Sequence, residues 1–214
     1  MIRNLIFGLL LPIQLFSQNI EIKGSAIGTI KINGVHEGSA FVAGTDRTVI
    51  TCSHVIQDFK EIYYQDMDVR DTHKLTVIYN DKERDFAILL GENQITTKPL
   101  KLGVPNKFPL GHKVMYLGYD VRESKIDITF RYDFGYITCI GTSFSVYGNS
   151  PVDFFEYEGI AIGGFSGGPV FDLTNNCVIG IITELYKVID SKGNIRHFNR
   201  AFTINEIDRL FNGR

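Results

Sequence analysis

Short apolar or alternating runs, separated by glycine, asparagine and aspartate, recur along the chain from residue 20 onward. Strands at this spacing, with turn residues between them, are typical of an all-β sandwich or barrel. The 21 glycines, 10 tyrosines and 16 phenylalanines agree, because they favour tight turns and strands over helices. The predicted strands are 20–32, 39–43, 48–52, 74–79, 86–90, 113–119, 125–132, 135–144, 152–157, 169–173, 178–186 and 200–204.

A segment with two prolines, 100–111, is the best candidate for a linker between two halves of the chain. The 214 residues, 44% of them hydrophobic, suit one globular domain or two small packed barrels. The formal net charge of -2 gives no reason to expect a nucleic acid or an anionic membrane as a partner.

The N-terminal residues predict a signal peptide over 1–18. Arg3 is followed by an apolar stretch over 5–16, which is too short for a membrane-spanning helix of roughly 20 residues. Small or polar residues follow at 17–19, where we expect cleavage. The product would then be exported, periplasmic or secreted, without membrane contact after cleavage. A buried first strand and an uncleaved anchor remain alternatives.

The run 162–169, Ile-Gly-Gly-Phe-Ser-Gly-Gly-Pro, leaves the Ser166 hydroxyl with nothing bulky around it. The flanking glycines would also let a substrate carbonyl approach the main-chain N–H groups closely. Taken alone, the run is more typical of a glycine-rich hairpin turn. Its interpretation therefore depends on the rest of the chain.

A histidine and an aspartate precede this serine, each at the edge of an apolar run: His54 and Asp85. A serine hydroxyl is a poor nucleophile until a neutral imidazole accepts its proton, and a carboxylate must orient that imidazole. Asp85 directly precedes an apolar run, whereas most of the aspartates between His54 and Asp85 lie in polar stretches and are predicted to be solvated turn residues. These aspartates are Asp58, Asp66, Asp68, Asp71 and Asp81.

The sequence resembles the chymotrypsin-like (trypsin-fold) serine proteases, nearest their bacterial HtrA-type and glutamyl-endopeptidase-like members. The runs 38–42 and 49–54 look like the family's histidine block, 85–89 like its aspartate block and 164–169 like its serine block. The blocks occur in the family's order, and with the intervening strands they span nearly all of the chain after residue 20.

The resemblance implies an all-β fold of two six-stranded antiparallel barrels with a short C-terminal helix. A protease domain would cover 19–214, with a first barrel over about 19–104, a second over about 105–204 and the helix over about 205–212. Asn205 is a suitable N-cap for that helix. The linker would leave His54 and Asp85 in the first half and Ser166 in the second, so the cleft would lie between the barrels.

The resemblance also implies the chemistry of a serine endopeptidase acting on proteins or peptides. Ser166 would attack the scissile carbonyl, His54 would take its proton, and Asp85 would orient His54. The N–H groups of Gly164 and Ser166 would form the oxyanion hole. Thr183 would support the aspartate.

Substrate binding is implied at two places. The residues from Thr183 through Glu184 and Leu185 would pair with the substrate main chain as an added strand. The primary pocket would lie near Ile160, Leu185 and Ala201, which favours a small or medium apolar side chain. Arg200 and His197 lie close enough in sequence to keep an acidic preference open.

Two departures from the family pattern bear on activation and specificity. Phe165 occupies the position where digestive members carry an aspartate that receives the freed N-terminus, so we expect activation without that ion pair. The enzyme would be competent once exported, or would be ordered by substrate. The glutamyl branch usually has a histidine where this chain has Ile182, which weakens a strict acidic preference.

Other functions fit parts of the sequence. Gly164-x-Ser166-x-Gly168 also matches the nucleophile elbow of α/β-hydrolases, with Asp190 and His197 downstream, but the preceding chain lacks the alternating helices of that fold. A catalytically silent barrel that binds peptides or a partner through the same cleft is the alternative function.

Neither a metal nor a cofactor is expected, because the histidines show no ligand-like clustering. Cys52 is predicted to be a buried packing residue, and a Cys139–Cys177 disulfide remains open. The oligomeric state is also left open. The histidines predicted at surface or turn positions are His36, His73 and His112.

Overall fold

The computed structural model describes residues 26–57, 59–66, 71–103, 108–120, 129–144, 151–159, 161–189, 192–193, 195–205 and 207, with backbone alone at 143–144, 184–189 and 195–197. The predicted signal peptide over 1–18 lies outside the described residues, as does most of the predicted helix over 205–212. No helix within these ranges is both long enough and apolar enough to cross a membrane.

Two closed barrels of six antiparallel strands each make up the described chain, which confirms the predicted fold class. Around the first barrel the strand order is β1–β2–β3–β6–β5–β4, and around the second it is β10–β11–β12–β9–β8–β7. The strands are β1 (Ile27–Ile32), β2 (Val35–Val42), β3 (Thr48–Thr51), β4 (Ile62–Asp66), β5 (Thr72–Asp81), β6 (Phe86–Gly91), β7 (Lys113–Asp120), β8 (Thr129–Phe144), β9 (Pro151–Tyr157), β10 (Pro169–Asp172), β11 (Cys177–Ile189) and β12 (Ile195–Thr203).

The barrels share part of their apolar core. Strands β3 and β10 are buried along their whole length, because the side chains on both of their faces meet other parts of the fold. The core of the first barrel continues into the second through Leu117, Phe171 and Ile181. A continuous apolar seam of this kind fixes the two barrels against each other, so groups on either side of it keep a defined separation.

Two strand predictions were wrong. The segment Ile62–Asp66 forms β4, although no strand was predicted there and Asp66 was expected to be a solvated turn residue; Gln65 and Asp66 are in fact buried. Residues 125–132 and 135–144 were expected to form two strands, but one strand, β8, runs through 129–144. β8 pairs with β7 over its first half and with β9 over its second, so tertiary pairing bridges the polar Asp133 between the two runs.

Candidate active site

His54 lies on a single helical turn, α1 (Ser53–Ile56), which directly follows β3. Ser53, Val55 and Ile56 are buried, whereas the His54 side chain is 26% exposed. Three of the four residues therefore anchor the turn in the first barrel, and His54 lies at the edge of that barrel. Sequence reasoning missed this helix, since four residues without a side-chain cap give no periodic signal.

Asp85 reaches His54 because of the pairing between β3 and β6. These strands are antiparallel with Thr51 opposite Ala87, so the residues that follow β3 lie beside those that precede β6. Asp85 has a left-handed φ of 58°, a conformation that aspartate tolerates better than most residues. Its Oδ1 accepts the His54 backbone N–H at 2.9 Å, and its Oδ2 lies 2.8 Å from His54 Nδ1.

Thr183 joins this pair from the second barrel. Its hydroxyl donates to Asp85 Oδ2 at 2.9 Å. The register between β11 and β12 shifts between Ile182 and Glu184, so Thr183 sits at a β-bulge, which re-aims a side chain. Asp85 is 0% exposed, and the donors on both barrels offset the cost of burying its carboxylate. The structure thus brings together three of the predicted site residues, His54, Asp85 and Thr183.

Ser39 connects the glycine-rich serine loop, residues 162–169, to the first barrel. Its backbone N–H donates to the Ser166 carbonyl at 2.9 Å, and its hydroxyl donates to the Gly164 carbonyl at 2.6 Å. The same hydroxyl accepts the Tyr119 N–H at 2.8 Å. Ser39 was not among the predicted site residues. Its one sequence signal was its place inside the predicted histidine block.

Two glycines allow the serine loop to approach the elements next to His54. A Cβ on Gly38 would lie 2.7 Å from the Val55 side chain and 3.0 Å from the Ser166 carbonyl. A Cβ on Gly167 would lie 2.2 Å from Thr51 Oγ1, and Gly167 also has a positive φ of 87°. The Ser166 backbone therefore lies against the end of β3 and the start of α1, at positions that a larger residue would obstruct.

The turn before Ser166 sets the direction of the backbone N–H groups of Gly164 and Ser166. The Phe165 N–H donates to the Ile162 carbonyl at 3.1 Å, and Gly164 has a φ of 98°. These features are those of a type II turn, which needs a positive φ at its third residue. Within the described part of the chain, neither the Gly164 nor the Ser166 N–H donates to a backbone carbonyl.

Cys52 lies beneath the histidine–aspartate pair. Its Sγ donates to the Ile182 carbonyl at 3.2 Å, and burial, followed by the charge of Asp85, raises the pKa of the thiol well above its usual range. It therefore stays protonated, as expected of a packing residue. Ligand atoms of Cys52, His54 and Asp85 lie within 4.8 Å of one another. A cation there would have to replace the hydrogen bonds that Asp85 already accepts from His54.

Phe165 is buried in the second barrel. Its side chain is 2% exposed, and its ring lies 6.3 Å from that of Tyr116 in an edge-on contact. A Cβ on Gly118 would lie 2.7 Å from the Phe165 ring, so this glycine makes room for it. Apolar packing thus holds the residue before Ser166, at the position where the resemblance implies an aspartate in digestive members.

The residues expected around the substrate are described unevenly. Ile160 lies outside the described residues, and only the backbone is described at Glu184 and Leu185. Ala201 is fully buried in the core of the second barrel. Sequence reasoning missed Asn199, two residues earlier on β12, which is also fully buried and whose Oδ1 accepts the Ala161 N–H at 3.0 Å.

The cysteines do not pair with one another, so the possible Cys139–Cys177 bridge is absent. A cavity of about 390 Å³ opens on the second barrel, but its lining includes none of the predicted site residues. Its walls come from β8, β9 and the end of β12, with Phe108, Ile179 and Asn205 beside them.

Two six-stranded barrels, with a buried aspartate–histidine pair and a glycine-rich serine loop at their seam, make up a chymotrypsin-like fold. A family model for the trypsin-like peptidase domain matches residues 38–181, more than half of the chain. The protein belongs to the trypsin-like peptidase family.

Its curated relatives include HtrA-type proteases. One is a probable periplasmic serine endoprotease, DegP-like, from Hahella chejuensis, 29% identical over 150 residues that cover 70% of this chain and 30% of the relative. Another is a putative protease, Do-like 14, from Arabidopsis thaliana, 25% identical over 165 residues that cover 73% of this chain and 37% of the relative. The chain therefore spans about a third of the length of these relatives.

Solved structures share the fold. The HtrA-type protease AlgW in complex with a decapeptide has a TM-score of 0.69 at 16% identity, covering 87% of this chain and 63% of that one. The active form of the Rv3671c protease from M. tuberculosis has a TM-score of 0.66 at 22% identity, covering 86% of this chain and 78% of that one.

Proposed function

We propose that the protein is an exported serine endopeptidase that hydrolyses peptide bonds through a His54–Asp85–Ser166 triad and an acyl-enzyme intermediate. The observation that carries the proposal is the buried Asp85 carboxylate, which accepts two hydrogen bonds from His54 and one from Thr183 across the barrel seam. This arrangement fixes both the orientation and the tautomer of an imidazole next to a serine loop.

The reaction would begin with His54. Its Nδ1 proton is held by Asp85 Oδ2, so its Nε2 would be the basic nitrogen that takes the proton of the Ser166 hydroxyl. Ser166 Oγ would then add to the scissile carbonyl. His54 would later pass that proton to the leaving amine, and a water molecule would release the acyl group by the same sequence. Asp85 would stabilise the imidazolium that forms in each step.

The negative charge on the carbonyl oxygen would be stabilised by the N–H groups of Gly164 and Ser166. The type II turn and the absence of a described backbone acceptor for either group support this role. The Ser39 hydroxyl would hold the loop in place through the Gly164 carbonyl. Each of the two N–H donors of an oxyanion hole is worth roughly 3–4 kcal/mol in the transition state.

The substrate main chain would pair with β11. β10 pairs with β11 only as far as Ile181, whereas β12 pairs with it through Ile189. From Thr183 onward, one edge of β11 therefore has no strand partner among the described residues, and an extended peptide could add there. The AlgW structure, which has the same fold, holds a decapeptide. Export is supported by the apolar N-terminal stretch and by relatives named as periplasmic.

Labelling with a fluorophosphonate probe tests the proposal. The folded wild type should react, Ser166→Ala and heat-denatured protein should not, and Ser53→Ala should still react. Ser53 is a suitable control because its hydroxyl lies beside His54 in sequence but donates to Asn80 at 2.6 Å. Failure of the folded wild type to react would contradict the acyl-enzyme chemistry and favour a silent barrel that binds peptides in this cleft.

A further inference from the structure

One end of the Asn199 side chain has no partner. Its Oδ1 accepts the Ala161 N–H at 3.0 Å, and because a backbone N–H can only donate, this bond identifies the other end as the NH2 group. That NH2 group is fully buried and has no hydrogen-bond partner among the described residues. A buried donor without an acceptor is unfavourable, so such groups in native folds call for an explanation.

Tyr157 presents a second group of this kind on the neighbouring strand. Tyr157 is opposite Asn199 in the pairing of β9 with β12, so both side chains lie on the same face of the sheet. Its hydroxyl is buried and has no hydrogen-bond partner in the described structure. The ring is held by Tyr116, at a centroid distance of 4.8 Å. Two neutral hydrogen-bonding groups are thus left unused at one place in the second barrel.

This place is next to the proposed substrate path. Ala161, which Asn199 holds, directly precedes the serine loop over 162–169 that contains Ser166. Leu185, which is opposite Asn199 on β11, follows the Thr183 bulge. A peptide paired with β11, with its carbonyl at Ser166, would insert the side chain that precedes the scissile bond between these two segments. Asn199 is linked to both segments, because its side chain accepts the Ala161 N–H and its backbone pairs with Leu185.

We propose that Asn199 is a specificity-determining residue whose NH2 group donates to an acceptor oxygen of the substrate side chain preceding the scissile bond. The preferred substrate residues are asparagine and glutamine, whose amide oxygens match a neutral donor. This inference rests on the proposed peptidase function. It differs from the apolar preference expected from Ile160, Leu185 and Ala201.

A carboxylate is a poorer match than an amide at this position. A buried carboxylate needs a nearby cation to offset its loss of hydration. Arg200, the neighbouring cation on β12, is paired with Glu156 at 3.0 Å, and its guanidinium lies 4.2 Å from the centre of the Phe154 ring. Its charge is therefore already compensated.

Peptides that differ at one residue test the proposal. Asparagine and leucine have nearly the same shape, as do glutamine and methionine, so each pair isolates the amide. With the full chain after signal removal, we expect kcat/KM to favour each amide over its apolar counterpart by at least about tenfold, because a site built to donate a hydrogen bond rejects a substrate that cannot accept it. Equal or faster cleavage of the apolar peptides would overturn the proposal, as would faster cleavage after glutamate than after glutamine.

The matched variant is Asn199→Asp. It keeps the acceptor for the Ala161 N–H but replaces the NH2 group with an anionic oxygen, so the amide preference should disappear. The kcat/KM for peptides with lysine or arginine before the scissile bond should rise at least about tenfold. Asn93→Asp makes the same change of charge at an exposed position of the first barrel and should leave the preference unchanged. An Asn199→Asp protein that folds, labels and keeps the amide preference would refute the role of Asn199.

Failure of this inference is distinguishable from failure of the peptidase function. Fluorophosphonate labelling reports the reactive serine whatever the substrate side chain, so a wild type that labels but shows no amide preference contradicts only the role of Asn199. If the protein has no peptidase activity, a binding measurement that needs no turnover still tests the role of Asn199. Ser166→Ala should bind product peptides that end in asparagine or glutamine about tenfold more tightly than those ending in leucine or methionine, as measured by calorimetry. Equal binding would reject the inference.

Discussion

The described part of the chain contains two histidine–aspartate pairs of nearly equal length but different surroundings. His54 lies 2.8 Å from Asp85 at the seam of the barrels, and His112 lies 2.9 Å from Asp172 on the second barrel. Both carboxylates are fully buried, and both imidazoles are partly exposed. Their shared geometry shows that a short imidazole–carboxylate contact does not by itself indicate a catalytic base.

The pairs differ in where the other partners of the carboxylate come from. Asp172 accepts the Thr174 N–H at 2.9 Å and the Asn175 side chain at 2.5 Å, both from the turn that follows β10. Asp85 accepts the Thr183 hydroxyl from the opposite barrel. The Asp172 pair therefore fastens a local turn to the start of β7, whereas the Asp85 pair joins the two halves of the molecule.

They also differ in the ring nitrogen that is engaged. Asp172 binds Nε2 of His112, whose ring faces Phe108 at a centroid distance of 5.2 Å. Asp85 binds Nδ1 of His54, which is the other ring nitrogen. If the proposed function is correct, this difference separates a structural pair from a catalytic one, and variants of both pairs can test it.

Removing the imidazoles should give the largest contrast. His54→Ala should lower kcat/KM for a peptide substrate by roughly 10⁶, because the members of a triad act as a unit. His112→Ala should change it by less than about threefold at a temperature where both variants are folded. Steady-state hydrolysis, with circular dichroism to confirm folding, measures both. A loss below tenfold for His54→Ala would remove it from the role of general base.

Changing the carboxylates to amides should give the next largest effect. Asp85→Asn keeps the shape of the side chain but no longer favours the tautomer with a proton on Nδ1, and kcat should fall by roughly 10⁴. Asp172→Asn should leave kcat within about twofold. Comparable losses in the two variants would show that the position of the pair at the seam is not what makes it catalytic.

The sequence was sufficient to predict the all-β fold, because short, continuous apolar runs mark the buried strands β3, β6 and β10. It also indicated Asp85 as the partner of His54, since Asp85 directly precedes the apolar run that forms β6. It did not indicate that His112 has a buried aspartate. It also assigned His36 to a surface or turn position, although that residue is buried in β2.

What the sequence left out depends on contacts between distant segments. Ser39 binds Gly164 across 125 positions, and Asn199 holds Ala161 across 38. A serine within a strand and an asparagine within a strand have no periodic or spacing signal that identifies such a partner. These residues become visible only when the barrels close and bring the loop, the bulge and the strand ends to one seam.

Thr183 tests whether the link across the seam matters for catalysis. Thr183→Val removes the hydroxyl that donates to Asp85 and keeps the size of the side chain, so kcat should fall by about tenfold, the value of a hydrogen bond to a charged group. Thr183→Ser keeps a hydroxyl and should recover most of the loss. Equal activity of the valine and serine variants would show that the cross-barrel bond has no part in orienting Asp85.

Asp172 should affect stability rather than turnover. Burial alone raises its pKa, but hydrogen bonds from Asn175, the Thr174 N–H and His112 outweigh burial and hold the pKa below its usual value. Because the folded carboxyl has the lower pKa, its stabilising contribution is present above the unfolded pKa of about 3.9 and is lost as the pH falls through the folded value. Asp172→Asn should therefore lower the free energy of unfolding by about 1–3 kcal/mol at pH 7, and by less as the pH falls below about 4.

Urea unfolding at pH 7 and pH 3 measures the stability change of Asp172→Asn, with Asp71→Asn, exposed on the first barrel, as the control. A difference from wild type that is as large at pH 3 as at pH 7 would contradict the assigned direction, and a loss of turnover in the folded variant would give the second pair a role beyond its turn.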